Sequence, residues 1–166
     1  GDIFGVSADA VVSPANSFGY MDGGIDLVYL EKFGWSLQDR LQAHLREHHF
    51  GELPVGQATI IATGDSAFPH LVSAPTMRVP QPIDDTINVY LSFRAALIAV
   101  LRHNARGVEP IRSLLVPGLG TGIGKVPSAK AAREMKLAHE AVIDRAVDRE
   151  CGQGRMWVGS VELLNF

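Results

Sequence analysis

The sequence predicts a layered α/β domain with a mostly parallel, buried sheet, and three observations carry that prediction. Apolar runs of strand length recur at residues 9–14, 58–62, 71–74, 113–116 and 156–164. Between them lie segments with helical period: Ile87, Leu91, Ala95, Ile98 and Leu101 in one, Ala131, Met135, Ala138 and Val142 in another. The balance of 46% hydrophobic and 20% charged residues over 166 residues is that of a globular chain with a sizeable core. Strands alternating with helices favour a parallel sheet covered on both faces.

Taken in order, Ala10-Val11-Val12 opens the first strand and runs into the stretch SPANSFGYMDGGID, residues 13–26. A helix is expected from about Gly24 to Gly34, and a second over residues 36–48. Strands at 58–62 and 71–74 follow, and then a surface connection over residues 77–85 that carries Pro80 and Pro82. The helix containing Ile87–Leu101 leads to the strand at 113–116 and the glycine-rich segment Pro117-Gly118-Leu119-Gly120-Thr121-Gly122-Ile123-Gly124. Pro127 suits the first turn of the next helix, where a missing N–H costs nothing. There is no internal repeat and no low-complexity tract, so residues 1–166 are expected to form a single domain.

The formal net charge of -3 gives no bulk electrostatic drive toward nucleic acid or an anionic membrane. Direct nucleic-acid binding is not expected. No apolar run approaches the length of a bilayer span, and no signal peptide is recognisable. Cys151 is the only cysteine, which excludes an intramolecular disulfide and points to a reducing, cytoplasmic compartment.

Two glycine-bearing strand-to-helix loops carry the chemistry. In the second, glycines at alternate positions from Gly118 to Gly124 remove Cβ atoms and expose successive N–H groups, which suits a cradle for phosphate oxygens. It fits neither familiar phosphate pattern. A dinucleotide fingerprint would need glycine at Ile123 or Lys125, and a Walker loop would need glycine at Leu119 and a hydroxyl at Val126. In the first, Gly23-Gly24 lets a ligand approach the backbone, Asn16 can donate and accept hydrogen bonds, and Asp26 lies on the first helical turn. Two such loops at the strand ends of one sheet can clamp a diphosphate. An aspartate in that position has a simpler role too, as a negative charge that stabilises a helix N-terminus.

These segments together resemble the macro domain, the ADP-ribose-binding family. Gly1-Asp2-Ile3 is similar to the family's G-D-I, and Ala10-Val11-Val12-Ser13-Pro14-Ala15-Asn16-Ser17 to its strand ending in N-A-A-N-S. Gly23-Gly24-Ile25-Asp26 resembles the G-G-V-D of the hydrolytic members. Leu71-Val72-Ser73-Ala74-Pro75 resembles its central strand, and Gly120-Thr121-Gly122-Ile123-Gly124 its second phosphate loop. The matches occur in family order over most of the chain. The resemblance implies a three-layer α/β/α fold with a central mixed, mostly parallel sheet.

It also implies roles, position by position. Asp2 would accept from the adenine amine, with the Ile3 N–H beside it. Asn16 would hold the ribose that carries the scissile bond. Backbone of Gly23, Gly24, Ile25, Gly120, Thr121, Gly122, Ile123 and Gly124 would surround the diphosphate, and Asp26 would orient or activate a water. The implied activity is hydrolysis of ADP-ribosyl esters, on acidic protein side chains or in O-acetyl-ADP-ribose. A non-catalytic reader of ADP-ribosylated protein and an ADP-ribose 1″-phosphate phosphatase are the alternatives. No metal and no cofactor is called for, and the partner is ADP-ribose or a protein that carries it.

Four positions depart from the family pattern. Ser13 replaces the first Asn, Pro14 stiffens the turn, Leu30 stands where many members have a histidine, and Gly124 where many have an aromatic. Phe18, Tyr20 or Phe33 could supply a ring for the proximal ribose instead.

Other candidates carry less. His44, His48 and His49 share helical spacing, but no carboxylate or cysteine completes a metal set, which favours a solvated helix face. Asp84-Asp85 reads as a solvated turn or helix cap, Cys151 lacks a catalytic context, and Trp35 and Trp157 read as packing residues. Finally, residues 156–166 read on from Phe166 into Gly1 as VELLNFGDIF, like a normal family start. This gives the expectation of a circularly permuted chain in which 156–166 supplies the strand before Gly1.

Overall fold

The computed structural model describes residues 2–107 and 109–144. The strand expected at 156–164 and the junction of Phe166 with Gly1 lie outside the described residues.

Four strands form one sheet: β1 (Ala10–Ser13), β2 (Thr59–Ala62), β3 (His70–Ser73) and β4 (Leu114–Leu115), in the order β2-β3-β1-β4. β1 pairs in parallel with β3, Ala10 opposite His70 through Ser13 opposite Ser73, and in parallel with β4. β2 runs antiparallel on the outer side of β3, with Thr59 opposite Ser73. The sheet is therefore mixed and mostly parallel.

Side-chain alternation divides the apolar runs between two cores. Ala10, Val12, Val72 and Leu114 pack with helices α3 (Asn88–Asn104) and α4 (Ser128–His139). Val11, Leu71, Leu115 and Ile61 pack on the opposite face with α1 (Gly24–Phe33) and α2 (Ser36–His49). Burial on both faces is what makes these strands read as continuous apolar runs.

The helices begin and end for local reasons. α1 stops at Gly34, which takes a φ of 88° and donates from its N–H to Leu30 O at 2.8 Å. α2 buries Leu37, Leu41 and Leu45, one per turn, and closes with Gly51 N–H donating to Leu45 O at 2.9 Å. Pro127 stands immediately before α4 rather than inside its first turn, and the helix continues as a π-helical turn over Glu140–Asp144. The N-terminus of α3 is capped from α4. Glu134, buried, accepts from Tyr90 N–H at 3.1 Å, while Lys130 donates to Thr86 O at 3.0 Å. Asp9 joins the starts of β1 and β4 by accepting from the N–H groups of Arg112 (2.7 Å) and Ser113 (2.8 Å). Partial burial pushes the Asp9 carboxyl up, but these bonds outweigh it and hold the group below its usual range.

β1 lies between two parallel neighbours, one reached through α1, α2 and β2 and the other through α3. The carboxyl ends of β1 and β4 thus open on a topological switch point, where ligand clefts form in sheets of this kind.

Candidate functional site

At that switch point the loop after β1 and the loop after β4 face one another across a cleft of about 300 Å³. Its walls include Asn16, Gly23, Gly24, Ile25 and Asp26 from the first loop and Gly118 to Gly124, without Leu119, from the second. Thr76, Met77 and Pro80 add a third side.

The first wall is a helix N-terminus left uncapped. Gly23 precedes α1 with no side chain to accept from the first turn, and among the described residues the N–H groups of Gly23, Gly24, Ile25 and Asp26 find no hydrogen-bond partner. Gly24 takes a φ of 60° in open space, a conformation that a larger residue adopts only under strain. The second wall is folded back on itself by Lys125 N–H to Gly122 O and Val126 N–H to Gly120 O, both at 3.1 Å. Those bonds leave the N–H groups of Thr121, Gly122 and Ile123 unused among the described residues. Ile83 N–H donates to Gly124 O at 2.8 Å and ties this wall to the proline-containing connection. Unused N–H groups on residues that line both sides, with one helix dipole behind them, make a site for an anion.

Asp26 sits between the walls, buried, and accepts a short hydrogen bond from the Ser13 hydroxyl at the end of β1. Burial pushes its carboxyl up to about 7, against the lowering effect of the Ser13 bond. Beneath it Tyr29, fully buried, donates to Val12 O at 3.0 Å. Burial, and then the charge of Asp26, hold that phenol well above its usual range. A carboxyl that changes protonation near neutrality in a cleft is suited to general-base work.

Asn16 reaches the cleft, but its side chain is largely used in shaping its own loop. Its Oδ1 accepts from Phe18 N–H (3.0 Å) and Tyr20 N–H (3.3 Å), and its Nδ2 donates to Tyr20 O at 2.8 Å. One amide hydrogen remains. Asp2 and Ile3 are placed away from the cleft lining: Asp2 is exposed and accepts from Phe4 N–H at 2.9 Å, while Ile3 is buried in the α1–α2 core.

Two departures from the family pattern acquire physical reasons. Leu30 is fully buried in the core, so its position faces away from the cleft. Gly124 has no room for a ring, since even a Cβ would stand 2.5 Å from Gly120 O. Of the three aromatic candidates only Tyr20 lines the cleft, 54% exposed. Phe33 packs edge-on against Phe4 and Phe68, and Phe18 lies under the Arg78 guanidinium. The Ser13–Asp26 pair was not evident from sequence, because it depends on which face of β1 Ser13 presents. The parity of Val11, which packs toward α1, was the available signal.

Among the described residues no group of three or more His, Cys, Asp or Glu is arranged to hold a metal ion, and no helix is long and apolar enough to cross a membrane. His44 shares a hydrogen bond of 2.7 Å with Thr59, and its ring lies 4.4 Å from that of His48, tilted by 54°. Asp84 and Asp85 lie exposed in a turn, and Trp35, read as a packing residue, is 64% exposed.

Two glycine loops clamping the strand ends of a mixed sheet, with a buried aspartate between them, define an anion-binding α/β/α domain. The family model of the Macro domain matches residues 12–135, and the chain belongs to that family. An uncharacterized protein of Aquifex aeolicus is 34% identical over 135 residues, covering 81% of this chain and 74% of that protein. Among solved structures, a variant Oceanobacillus iheyensis macrodomain with ADPR superposes with a TM-score of 0.74 at 20% identity, covering 98% of this chain and 80% of that one. The macrodomain of Mycobacterium tuberculosis DarG does so with a TM-score of 0.68 at 20% identity, covering 86% and 88%. At that level of identity the likeness is one of fold.

Proposed function

We propose that this macro domain binds ADP-ribose and hydrolyses ADP-ribosyl esters, either on acidic protein side chains or in O-acetyl-ADP-ribose. The observation that carries the reading is the pair of opposed walls of unused N–H groups with buried Asp26 between them. The diphosphate lies between the N-terminus of α1 and the loop Gly120–Gly124, neutralised by backbone dipoles. Tyr20 packs against the proximal ribose in place of the ring that Gly124 cannot carry. The remaining amide hydrogen of Asn16 holds a ribose hydroxyl. Deprotonated Asp26 accepts a proton from the attacking water, and Ser13 orients the carboxylate for it. ADPR in the related Oceanobacillus structure supports the choice of ligand, and a reducing, cytoplasmic setting is part of the proposal.

The test has two arms. Calorimetry with ADP-ribose reads binding. Release of ADP-ribose from glutamate-linked mono-ADP-ribosylated protein, from O-acetyl-ADP-ribose and from ADP-ribose 1″-phosphate reads chemistry. Binding with no release from any of the three would make the domain a reader, release from the phosphate alone would make it a phosphatase, and absence of binding would overturn the proposal.

A further inference from the structure

A second depression, of about 740 Å³, lies at the opposite margin of the sheet. Its floor is the outer side of β2 with the preceding residues Gly56, Gln57 and Ala58. β2 is an edge strand: among the described residues it pairs only with β3, and none of its backbone groups bonds elsewhere. A row of unpaired N–H and C=O groups there is a template for one more strand. Nothing in the anion cleft contributes to this groove.

One wall is cationic. From α3, Arg94 and Arg102 line one side, with Ile98 and His103 among them, and Arg106 adds a third cation from the turn that follows the helix; all three arginines are exposed. Arg94, Ile98 and Arg102 fall at intervals of four residues, so they form a single stripe along the helix. None of the three makes an ion pair among the described residues. From α2, His44, His48 and His49 line the other side. Among the described residues no carboxylate lines the groove. Glu47, at its rim, approaches His48 at 3.8 Å.

We propose that this groove docks an extended acidic segment of a partner protein, added as a strand along β2 with carboxylates at alternate positions facing the α3 arginines. The spacings agree. Arg94 and Arg102, eight residues apart on α3, are separated by about 12 Å, and same-face residues four apart on a strand by about 13.6 Å, so acids at alternate positions keep step with both. Main-chain bonds to β2 supply affinity and the arginines supply selectivity. Pairing with a second copy through β2 would instead bring arginine stripes together. A nucleic acid would find, among the described residues, no Phe, Tyr or Trp in the lining on which to stack its bases. The proposal stands independently of the reading of the anion cleft.

The experiment uses the full chain and fluorescence anisotropy with a labelled peptide that alternates Glu and Thr. Three comparators are used: the same composition with its acids clustered, the alternating peptide with N-methylated backbone, and a single-stranded oligonucleotide of equal charge. The alternating peptide is expected to bind at least about tenfold tighter than either altered peptide. The double variant Arg94→Glu, Arg102→Glu is expected to abolish that preference while its thermal unfolding is unchanged. If the variant loses stability, Arg102→Gln alone, expected to weaken the peptide severalfold, replaces it. Equal binding of the N-methylated peptide, preference for the oligonucleotide, indifference to the arginine substitutions, or peptide-resistant self-association would each overturn the proposal.

Discussion

The two concave regions of this molecule attract negative charge by opposite means. Among the described residues the cleft between the glycine loops contains no lysine or arginine in its lining, and its carboxylates, Asp22 and Asp26, are of the wrong sign for an anion. Its attraction comes from unused backbone N–H groups and the N-terminus of α1, fixed in direction and held in a partly dry space. Among the described residues the groove along β2 has three arginines, four histidines and no carboxylate in its lining, all on side chains that can move. Fixed dipoles suit a small ligand of one shape, whereas mobile cations along an open strand suit a family of related segments. The difference teaches that net charge says little about anion recognition here. The chain is negative overall, and both regions are nevertheless built for anions.

The largest effect should come from removing the group to which the proposed mechanism assigns proton transfer. Asp26→Ala is expected to lower ester hydrolysis by about a hundredfold or more, with ADP-ribose affinity changed only slightly, because a proton-accepting group acts mainly in the transition state. Single-turnover assay with parallel calorimetry measures both. Retained hydrolysis would return Asp26 to its simpler role at the start of α1. The wild-type rate should rise with pH as Asp26 loses its proton, with a midpoint near 7.

The same group makes the cleft costly to the fold. Its folded value of about 7 lies above the ordinary 3.8, so the folded state holds the proton more tightly than the unfolded chain. Its contribution to stability is therefore complete below about pH 4 and is lost as pH rises through 7. By linkage the loss amounts to at most about 4 kcal/mol. Asp26→Asn should flatten this decline and be more stable than wild type at pH 8, as read by denaturant unfolding across pH. Parallel curves for the two proteins would mean that burial of the charge is relieved in some other way.

Affinity should respond next. Gly24→Val strains a residue at a φ of 60° and adds bulk where only open space now lies, so ADP-ribose affinity should fall about a hundredfold with little loss of fold. Gly122→Val should weaken binding less, since Gly122 carries no left-handed strain and only its open space is filled. Equal effects would mean that occupied space, and not backbone geometry, decides binding.

Much of this was legible in sequence, and the remainder has identifiable reasons. Three of the four described strands fall within their expected segments, and β3 starts one residue early at His70, because two-sided burial leaves uninterrupted apolar runs. α1 and α2 were delimited by Gly24, Gly34 and their leucines. β4 is shorter than expected, since only Leu114 and Leu115 pair with β1. Both cleft loops were found because glycine at a strand-to-helix junction has few other uses. What escaped was whatever depends on rotation or register. The internal use of the Asn16 side chain, the choice of Tyr20 over Phe33, and the pairing of Ser13 with Asp26 all follow from which way a residue faces. The groove was only half visible. His44, His48 and His49 stood out by spacing, but the arginine stripe gains meaning only when β3 places β2 at the sheet edge beside α3.

The smallest predicted effect is the sharpest test of how the cleft is tuned. Ser13→Ala removes the hydrogen bond that lowers the Asp26 carboxyl while leaving its burial in place. The hydroxyl donates to the charged form, so its loss favours protonation, and the midpoint of the rate profile should move up by about one pH unit or less. At pH 9, with Asp26 ionised in both proteins, the difference in rate should be at its smallest. What persists there measures positioning of the carboxylate, and what vanishes measures tuning of its proton affinity. A midpoint that stays fixed while the rate falls equally at every pH would show that Ser13 aims the carboxylate and leaves its basicity alone. A midpoint that moves down would mean that Ser13 accepts from protonated Asp26, reversing the direction of the bond on which the mechanism rests.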